Sequence, residues 1–563
     1  MMFESFPPGL VLILGAFLLP FVKGAARSGL VLVLPLVTLW LIATMGDGDR
    51  VTLAFLDYQL TPVRGDALSK LFGIIFTVMA FAGGLFALKQ DRLVELVAAF
   101  VYAGSAIGVA FAGDLVTVFV YWELMAIGSG LVIWSAATPE SYAASLRYIA
   151  IHLAGGVVLM IGILMHIAET GEVGFAAMQA DSIATWLMLA GFLVNAGAPP
   201  LSAWLPDAYP EASFSGTVFL SAFTTKAAVY VLLRGFAGTE ILIYFGCYMI
   251  FYGIIYALLE NDMRRILAYS IINQVGFMVT GIGIGTEMAL NGSAAHAFVH
   301  IIYKALLLMS AGSVLYMTGK RKCTDLGGLF QSMPITTVCG IVGALSISAF
   351  PLTSGFISKS MISQAAVDLH MPLLWYLLAV ASAGVFLHAG IKFPWFVFFQ
   401  KDSGMRPKDP PWNMKAAMIL FSILCVGIGV WPEPLYALLP YEVDFVPYTG
   451  AHVIAMIQLL LFSGLAFFLF LPLLKRTMTI SLDVDWFYRK VGRIAATEIV
   501  DDVAAIRDRA EAMGRRLLDN VATTLTAPVK PTGSMARNWE TGNMVLVVTI
   551  VLAVFAVMFF MAG

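Results

Sequence analysis

Apolar residues along this chain gather into long blocks separated by short polar stretches. Each block runs near the ~20 residues a helix needs to cross a bilayer. The blocks place spans at roughly 8–23, 28–46, 66–88, 93–112, 114–136, 142–168, 183–209, 215–236, 240–259, 265–285, 293–317, 334–365, 373–399, 413–431, 452–474 and 543–561. That is about sixteen passes at one bilayer thickness each. The pattern changes over 475–542, where Ile499, Val503, Ile506, Ala510, Met513, Leu517 and Val521 recur at spacings of three and four. Charged residues fill the other faces, which predicts an amphipathic helix over 484–526. Some forty residues of helix reach roughly 65 Å. Such a helix rests on the membrane surface or lies across neighbouring subunits, and its alanines and mixed charge favour protein contact. The expected fold is therefore all-α: a polytopic membrane protein with a C-terminal lateral helix and a final anchor helix.

The loops carry charge in alternation. One set holds Lys23 and Arg27, Lys89 and Arg92, Arg264 and Arg265, Lys320 to Lys322, and Lys401, Arg406 and Lys408. The other set holds Asp47, Asp49 and Asp57, Glu169, Glu172 and Asp181, and Glu433, Glu442 and Asp444. Basic loops mark the cytoplasmic side, so both termini are expected outside a cell inner (cytoplasmic) membrane. The loop after the seventh span departs from this, with Asp207, Glu211 and no base.

Composition adds exclusions. The chain is 60% hydrophobic and 12% charged, against about 25% charged in soluble domains. A net charge of −2 gives no case for nucleic-acid binding. Cys247, Cys323, Cys339 and Cys425 have no metal-ligand or redox spacing. The start, MMFESFPPGL, lacks the basic region of a cleavable signal, so the first block reads as a true span. The glycines of GIGIG at 281–285 sit inside a span and read as helix packing.

A charge in hydrocarbon costs about 2.5–3.5 kcal/mol even on the lenient insertion scale, so charges inside spans are candidates for function. Glu123 lies in FVYWELMAIGSG and Lys226 in FLSAFTTKAAVYVLL. His296, His300 and Lys304 follow one another at spacings of four and share a helix face. Lys359, His388, Lys392 and His152 complete the set. Lys392 has the alternative of snorkelling to the interface, and a lone His152 that of a helix contact. Buried acids, lysines and histidines in series are what a proton path through hydrocarbon requires.

GFLVNAGAPPLSAWLPDAY, at 191–209, breaks a span with Pro199 and Pro200. Broken helices at membrane depth are tolerated where they line a cavity or are buried in protein, and transporters place them in matching positions of two repeats. The counterpart is AFPLTSGFISKSM at 349–361, with Pro351 at its break. The two breaks predict two inverted five-helix repeats, 91–237 and 238–400. Helices of 1–90 precede them, and 401–474, the lateral segment 475–542 and the anchor 543–563 follow.

VYWELMAIGS, WLPDAYPEA, FTTKAAVYVLLR, MRRILAYSIINQVGFM, HAFVHIIYKALLLMSAG and PLTSGFISK, in order over about residues 60–400, resemble the antiporter-like subunits shared by respiratory complex I and the Mrp multisubunit Na+/H+ antiporters. The D-type Mrp subunit is the member most resembled. The lateral helix with its extra span resembles the largest antiporter-like subunit of complex I. The resemblance implies that Glu123 is the acid of an ion pair, Lys226 the central lysine of the first half-channel, and Lys304 and Lys359 the lysines of the second, with Lys359 at the exit. The chain departs from the pattern at Asn195, where the family has the lysine that partners the acid. Glu123 then pairs with Lys226, or His152 substitutes, or the first half no longer pumps.

The expected function is a proton-translocating subunit of a multisubunit cation/proton antiporter of Mrp type, exchanging protons for Na+. One alternative is an antiporter-like subunit of a complex I-related, redox-driven pump, such as an NADH-quinone oxidoreductase-like translocase. Another is a non-conducting scaffold that clamps partners with its lateral helix. The expected path residues are Glu123, Lys226, His296, His300, Lys304, Lys359 and His388, with Asn195, His152, Lys392 and Asp207 as second-rank candidates. No cofactor, metal or catalytic residue is expected in this chain. Its partners are expected to be other membrane subunits, met in part through 484–526, and the lipid bilayer.

Overall fold

The structure is a computed structural model that describes residues 6–474, 476–477, 482–530, 532–534 and 539–562. The chain begins with α1 (Pro8–Leu18) and α2 (Gly24–Thr44), a hairpin of β1 (Gly48–Phe55) and β2 (Tyr58–Gly65), then α3 (Ala67–Phe86), α4 (Leu93–Phe111), α5 (Leu115–Trp134) and α6 (Pro139–Thr170). α7 (Ile183–Ala196), α8 (Trp204–Ala208), α9 (Gly216–Leu220) and α10 (Thr224–Gly235) follow, with α11 (Ile241–Leu259), α12 (Met263–Ile284) and α13 (Glu287–Thr318). Next come α14 (Pro334–Ile347), α15 (Ser354–Asp368), α16 (Pro372–Val385), α17 (Trp412–Val430), α18 (Glu433–Tyr436) and α19 (Gly450–Leu469). The last two are α20 (Asp485–Thr526) and α21 (Thr541–Ala562). This is an all-α polytopic membrane protein. Among the described residues, 13 helices are long and apolar enough to cross a membrane. Pro8–Phe21, Ile183–Ala196 and Pro334–Ile347 are shorter apolar helices lying among them.

The chain divides into two compact units, Met1–Asp485 and Trp486–Gly563. In the first, α12 and α13 form the centre: their apolar windows are 100% and 94% buried. α11 lies tightly along α12, where a Cβ added at Gly253 would meet the Tyr269 carbonyl at 2.6 Å. Small residues permit such backbone approach between membrane helices. In the second unit the apolar stripe of α20 is uncovered, with Ile499, Ile506 and Met513 each more than 60% exposed.

Two pairs of elements match across the chain. α6 and α13 are both 32 residues long. Each starts at a capping threonine, Thr138 or Thr286, and ends at a glycine of positive φ, Gly171 at 75° or Gly319 at 68°. α7 and α14 are both 14 residues long. Each stops at an interruption, 197–203 or 348–353, that holds the Pro-Leu pair.

The hairpin is a departure from the sequence reading, which placed only a loop between the second and third spans. The run VTLAF…YQLTPV carries β-branched and aromatic residues at strand spacing, but the apolar blocks on either side dominate the pattern.

Candidate functional site

α13 presents His296, His300 and Lys304 toward the centre, all 0% exposed. The Gln274 side-chain oxygen on α12 accepts from His296 Nε2 at 3.1 Å and from the Tyr303 hydroxyl at 3.1 Å. The other His296 nitrogen, Nδ1, then accepts from the Ser358 hydroxyl of α15 at 2.9 Å. One imidazole thus joins three helices, and its Ser358 partner is the residue before Lys359. Lys304 Nζ donates to Ser270 Oγ at 2.8 Å. His300 stands over the Tyr303 ring, centroids 5.2 Å apart, and neither of its ring nitrogens has a partner among the described residues.

The buried lysines meet carbonyls and hydroxyls where carboxylates were expected. Lys226 Nζ donates to the Ser221 carbonyl at 2.7 Å and to Thr225 Oγ1 at 3.1 Å. Ser221 lies in the break between α9 and α10, so its oxygen lacks a helical donor. Lys359 Nζ donates to the Ile347 carbonyl at 2.8 Å, at the end of α14, and sits 4.9 Å above the Phe277 ring. The C-terminal end of a helix carries partial negative charge, which favours a cation there. Lys392 follows the same rule. Its Nζ donates to the Ala257, Leu258 and Glu260 carbonyls at 3.0, 2.6 and 2.6 Å, at the C-terminal end of α11. It is 3% exposed, so the snorkelling alternative is corrected. His388 lies in a π-helical stretch, Phe386–Lys392, bonded through Nδ1 to the Gly384 carbonyl at 2.8 Å. Such turns widen a helix and recur at functional sites.

The first half looks different. Glu123 on α5 packs its carboxylate against Gly156 of α6, where an added Cβ would collide with it. Its Oε1 is buried without a partner among the described residues. Asn195, 1% exposed near the end of α7, has neither amide atom paired. No hydrogen bond joins Glu123 to Asn195, Lys226 or His152 among the described residues, so none of the expected substitute pairings is formed. His152 donates Nδ1–H to the Tyr148 carbonyl at 2.9 Å and stacks on Tyr148 with centroids 3.9 Å apart. Its Nε2 is unpaired. Trp204 crosses His152 edge-on at 4.5 Å and holds the Val194 carbonyl at 2.9 Å, closing the break after α7.

The acids of the loop after the seventh span find bases elsewhere in the chain. Arg147 of α6 grips Asp207 through two bonds of 2.8 and 2.9 Å. Arg321 binds Glu211 at 3.0 Å and Asp262 at 2.8 Å. Burial pushes the Asp262 carboxyl up from its ordinary value, although Arg321 pulls against it. Arg264, 3% exposed, donates to the Pro210, Ala212 and Ser213 carbonyls at 2.7, 2.8 and 2.7 Å and to Thr217. Glu95, 1% exposed, accepts from Ser213, Ser215 and Gln90 at 2.7, 2.5 and 3.1 Å. Sequence reasoning missed Glu95, Gln274 and Tyr303. Each is polar inside or at the edge of a span, and Gln274 carried that signal within SIINQVGF.

Residues 112–385 match the family described as NADH:quinone oxidoreductase/Mrp antiporter, transmembrane. The chain is similar to that family over just under half of its length. The match covers α5 to α16, and His388, Lys392 and Glu95 lie outside it. A probable K(+)/H(+) antiporter protein of Rhizobium meliloti, of the A/B type, is 29% identical over 66% of this chain and 40% of its own length. The D-type component of a Na(+)/H(+) antiporter from Alkalihalophilus pseudofirmus is 31% identical over 46% of this chain and 56% of its own. The chain thus spans about half the length of these relatives. Among solved structures, the Mrp complex of Dietzia sp. DQ12-45-1b holds a chain of like fold, with a TM-score of 0.74 at 22% identity. That likeness covers 99% of this chain and 63% of the other.

Proposed function

We propose that the chain is a proton-translocating subunit of a multisubunit cation/proton antiporter of Mrp type, with Na+ as the exchanged cation. The observation that carries this reading is the buried set Lys304–Ser270, Gln274–His296–Ser358 and Lys359, in which titratable groups on α13 and α15 stand in contact with neutral donors and acceptors. No carboxylate locks the ammonium groups among the described residues, so each can release its proton without breaking an ion pair. The relatives named for K+/H+ and Na+/H+ antiport support the cation half of the proposal. The uncovered stripe on α20 supports assembly with other membrane subunits, and the loop charges support a cell inner membrane with both termini outside.

The test is proton flux into vesicles holding the whole complex. Lys304→Ala and Lys359→Ala should each abolish Na+-dependent proton movement while leaving assembly intact. Wild-type rates in both would refute a proton path through these lysines.

A second reading rests on the family description, which also covers redox-driven NADH:quinone oxidoreductases. Purification of the complex from its native membrane separates the two. Co-purifying iron–sulfur subunits would favour the redox pump, and a complex of small membrane subunits alone the antiporter.

A further inference from the structure

A cavity of about 250 Å³ lies between α15, α16, the loop before α19 and the first turns of α19. Lys359, Ser363, Gln364, Trp375, Thr449 and His452 are among its lining residues. Such a space, polar on several walls, has room for several waters. Lys359 forms part of its wall, while the ammonium reaches inward to the Ile347 carbonyl. The same side chain therefore borders the His296 network on one side and this cavity on the other.

His452 is the second titratable group on the wall, and the structure fixes its proton. Its Nδ1 is 2.7 Å from the Pro447 carbonyl, which can only accept, so Nδ1 carries the hydrogen. The ring stacks on Phe356 with centroids 4.4 Å apart and planes 18° from parallel. Its backbone N–H donates to the Thr449 cap at 3.3 Å. Orientation and tautomer are thus set, and Nε2 is left with a free lone pair. We propose that His452 is the proton-relay group of this cavity. Nε2 takes a proton from cavity water and returns one to it, and Lys359 exchanges with the same water when its four-carbon stem swings outward. The inference rests on the proton-path reading above and adds to it a group on α19, outside the two expected repeats.

The surroundings suit the task. α16 and the loop before α19 add no titratable side chain to the wall. Asp368, at the end of α15, is engaged by Gln364 at 2.8 Å. Glu442 and Asp444, just ahead of the lining residue Phe445, are exposed, and solvent and salt screen their charges. Tyr448 leans on the Phe356 ring at 5.2 Å, but its hydroxyl is bonded to the Gly429 carbonyl.

The test uses the complete complex in vesicles. His452→Gln keeps an amide N–H and a similar volume but cannot carry a proton, and assembly of the complex is checked beside its flux. The relay predicts a loss of about a hundredfold, the lower end of what proton-transfer groups contribute. In His452→Ala, added imidazole should restore part of the rate, and weaker bases of the same size should restore less at neutral pH. A wild-type rate in assembled His452→Gln, or a loss in His452→Ala that no imidazole relieves, overturns the relay. Lys359→Ala in the same series separates the two ideas. If it is inactive while His452→Gln is normal, only the relay falls. If both are normal, the proton-path reading falls as well.

Discussion

The two halves of the membrane core hold the same kinds of residue in different states. Around α12, α13 and α15, His296 bonds on both ring nitrogens, Lys304 and Lys359 each have a partner, and Gln274 ties two helices together. Around α5, α6 and α7, a Glu123 oxygen, the His152 Nε2 and both Asn195 amide atoms are buried and unpaired among the described residues. An unmet buried polar group costs about 1–3 kcal/mol. The second half has unpaired groups too, both ring nitrogens of His300 and the Nε2 of His388, and the family resemblance assigns a lysine at position 195. Proton transfer needs donors and acceptors in contact; among the described residues the second half has the run Ser358–His296–Gln274–Tyr303 with Lys304–Ser270 apart from it, and the first half has Tyr102–Thr224–Tyr148–Ser129 beside its unpaired groups. The difference suggests that the halves no longer contribute equally.

Substitutions can break or sharpen that contrast. The largest effect is expected at Lys304 and Lys359, where alanine should lower flux at least about a hundredfold, the scale of a lost proton-transfer group. Gln274→Leu comes next, because it removes the acceptor shared by His296 and Tyr303 while keeping the volume. Flux should fall by about tenfold, within what a group that orients a proton-transfer partner contributes, and Gln274→Glu should recover part of it. Glu123→Gln should cost less, a several-fold reduction, since no described group depends on its charge. Asn195→Lys should have the smallest effect on rate. It should instead move the pH profile, because it adds a titratable ammonium to the first half. A pH profile unchanged by Asn195→Lys, together with a harmless Glu123→Gln, would make the first half purely structural.

Much of this was legible in the residue pattern because membrane physics is written in composition. Blocks of apolar residues placed the helices, and the rarity of charge in hydrocarbon picked out Glu123, Lys226, Lys304 and Lys359. What escaped were the partners. Lys226, Lys359 and Lys392 bind backbone carbonyls at helix ends, and a carbonyl has no letter in the sequence. The π-helical turn at His388 and the β-hairpin at 48–65 leave only weak periodic signals beside strong apolar runs. Asp207 and Glu211 seemed unpaired because Arg147 and Arg321 lie 60 and 110 residues away along the chain.

The most direct test of the account compares the halves in one preparation: proton flux under an imposed Na+ gradient, with Lys304→Ala and Glu123→Gln complexes reconstituted at equal density. The account predicts background flux for Lys304→Ala and a readily measured residual rate, at least about a tenth of normal, for Glu123→Gln, well short of the hundredfold loss of a proton-transfer group. Background flux in Glu123→Gln beside substantial flux in Lys304→Ala would contradict it.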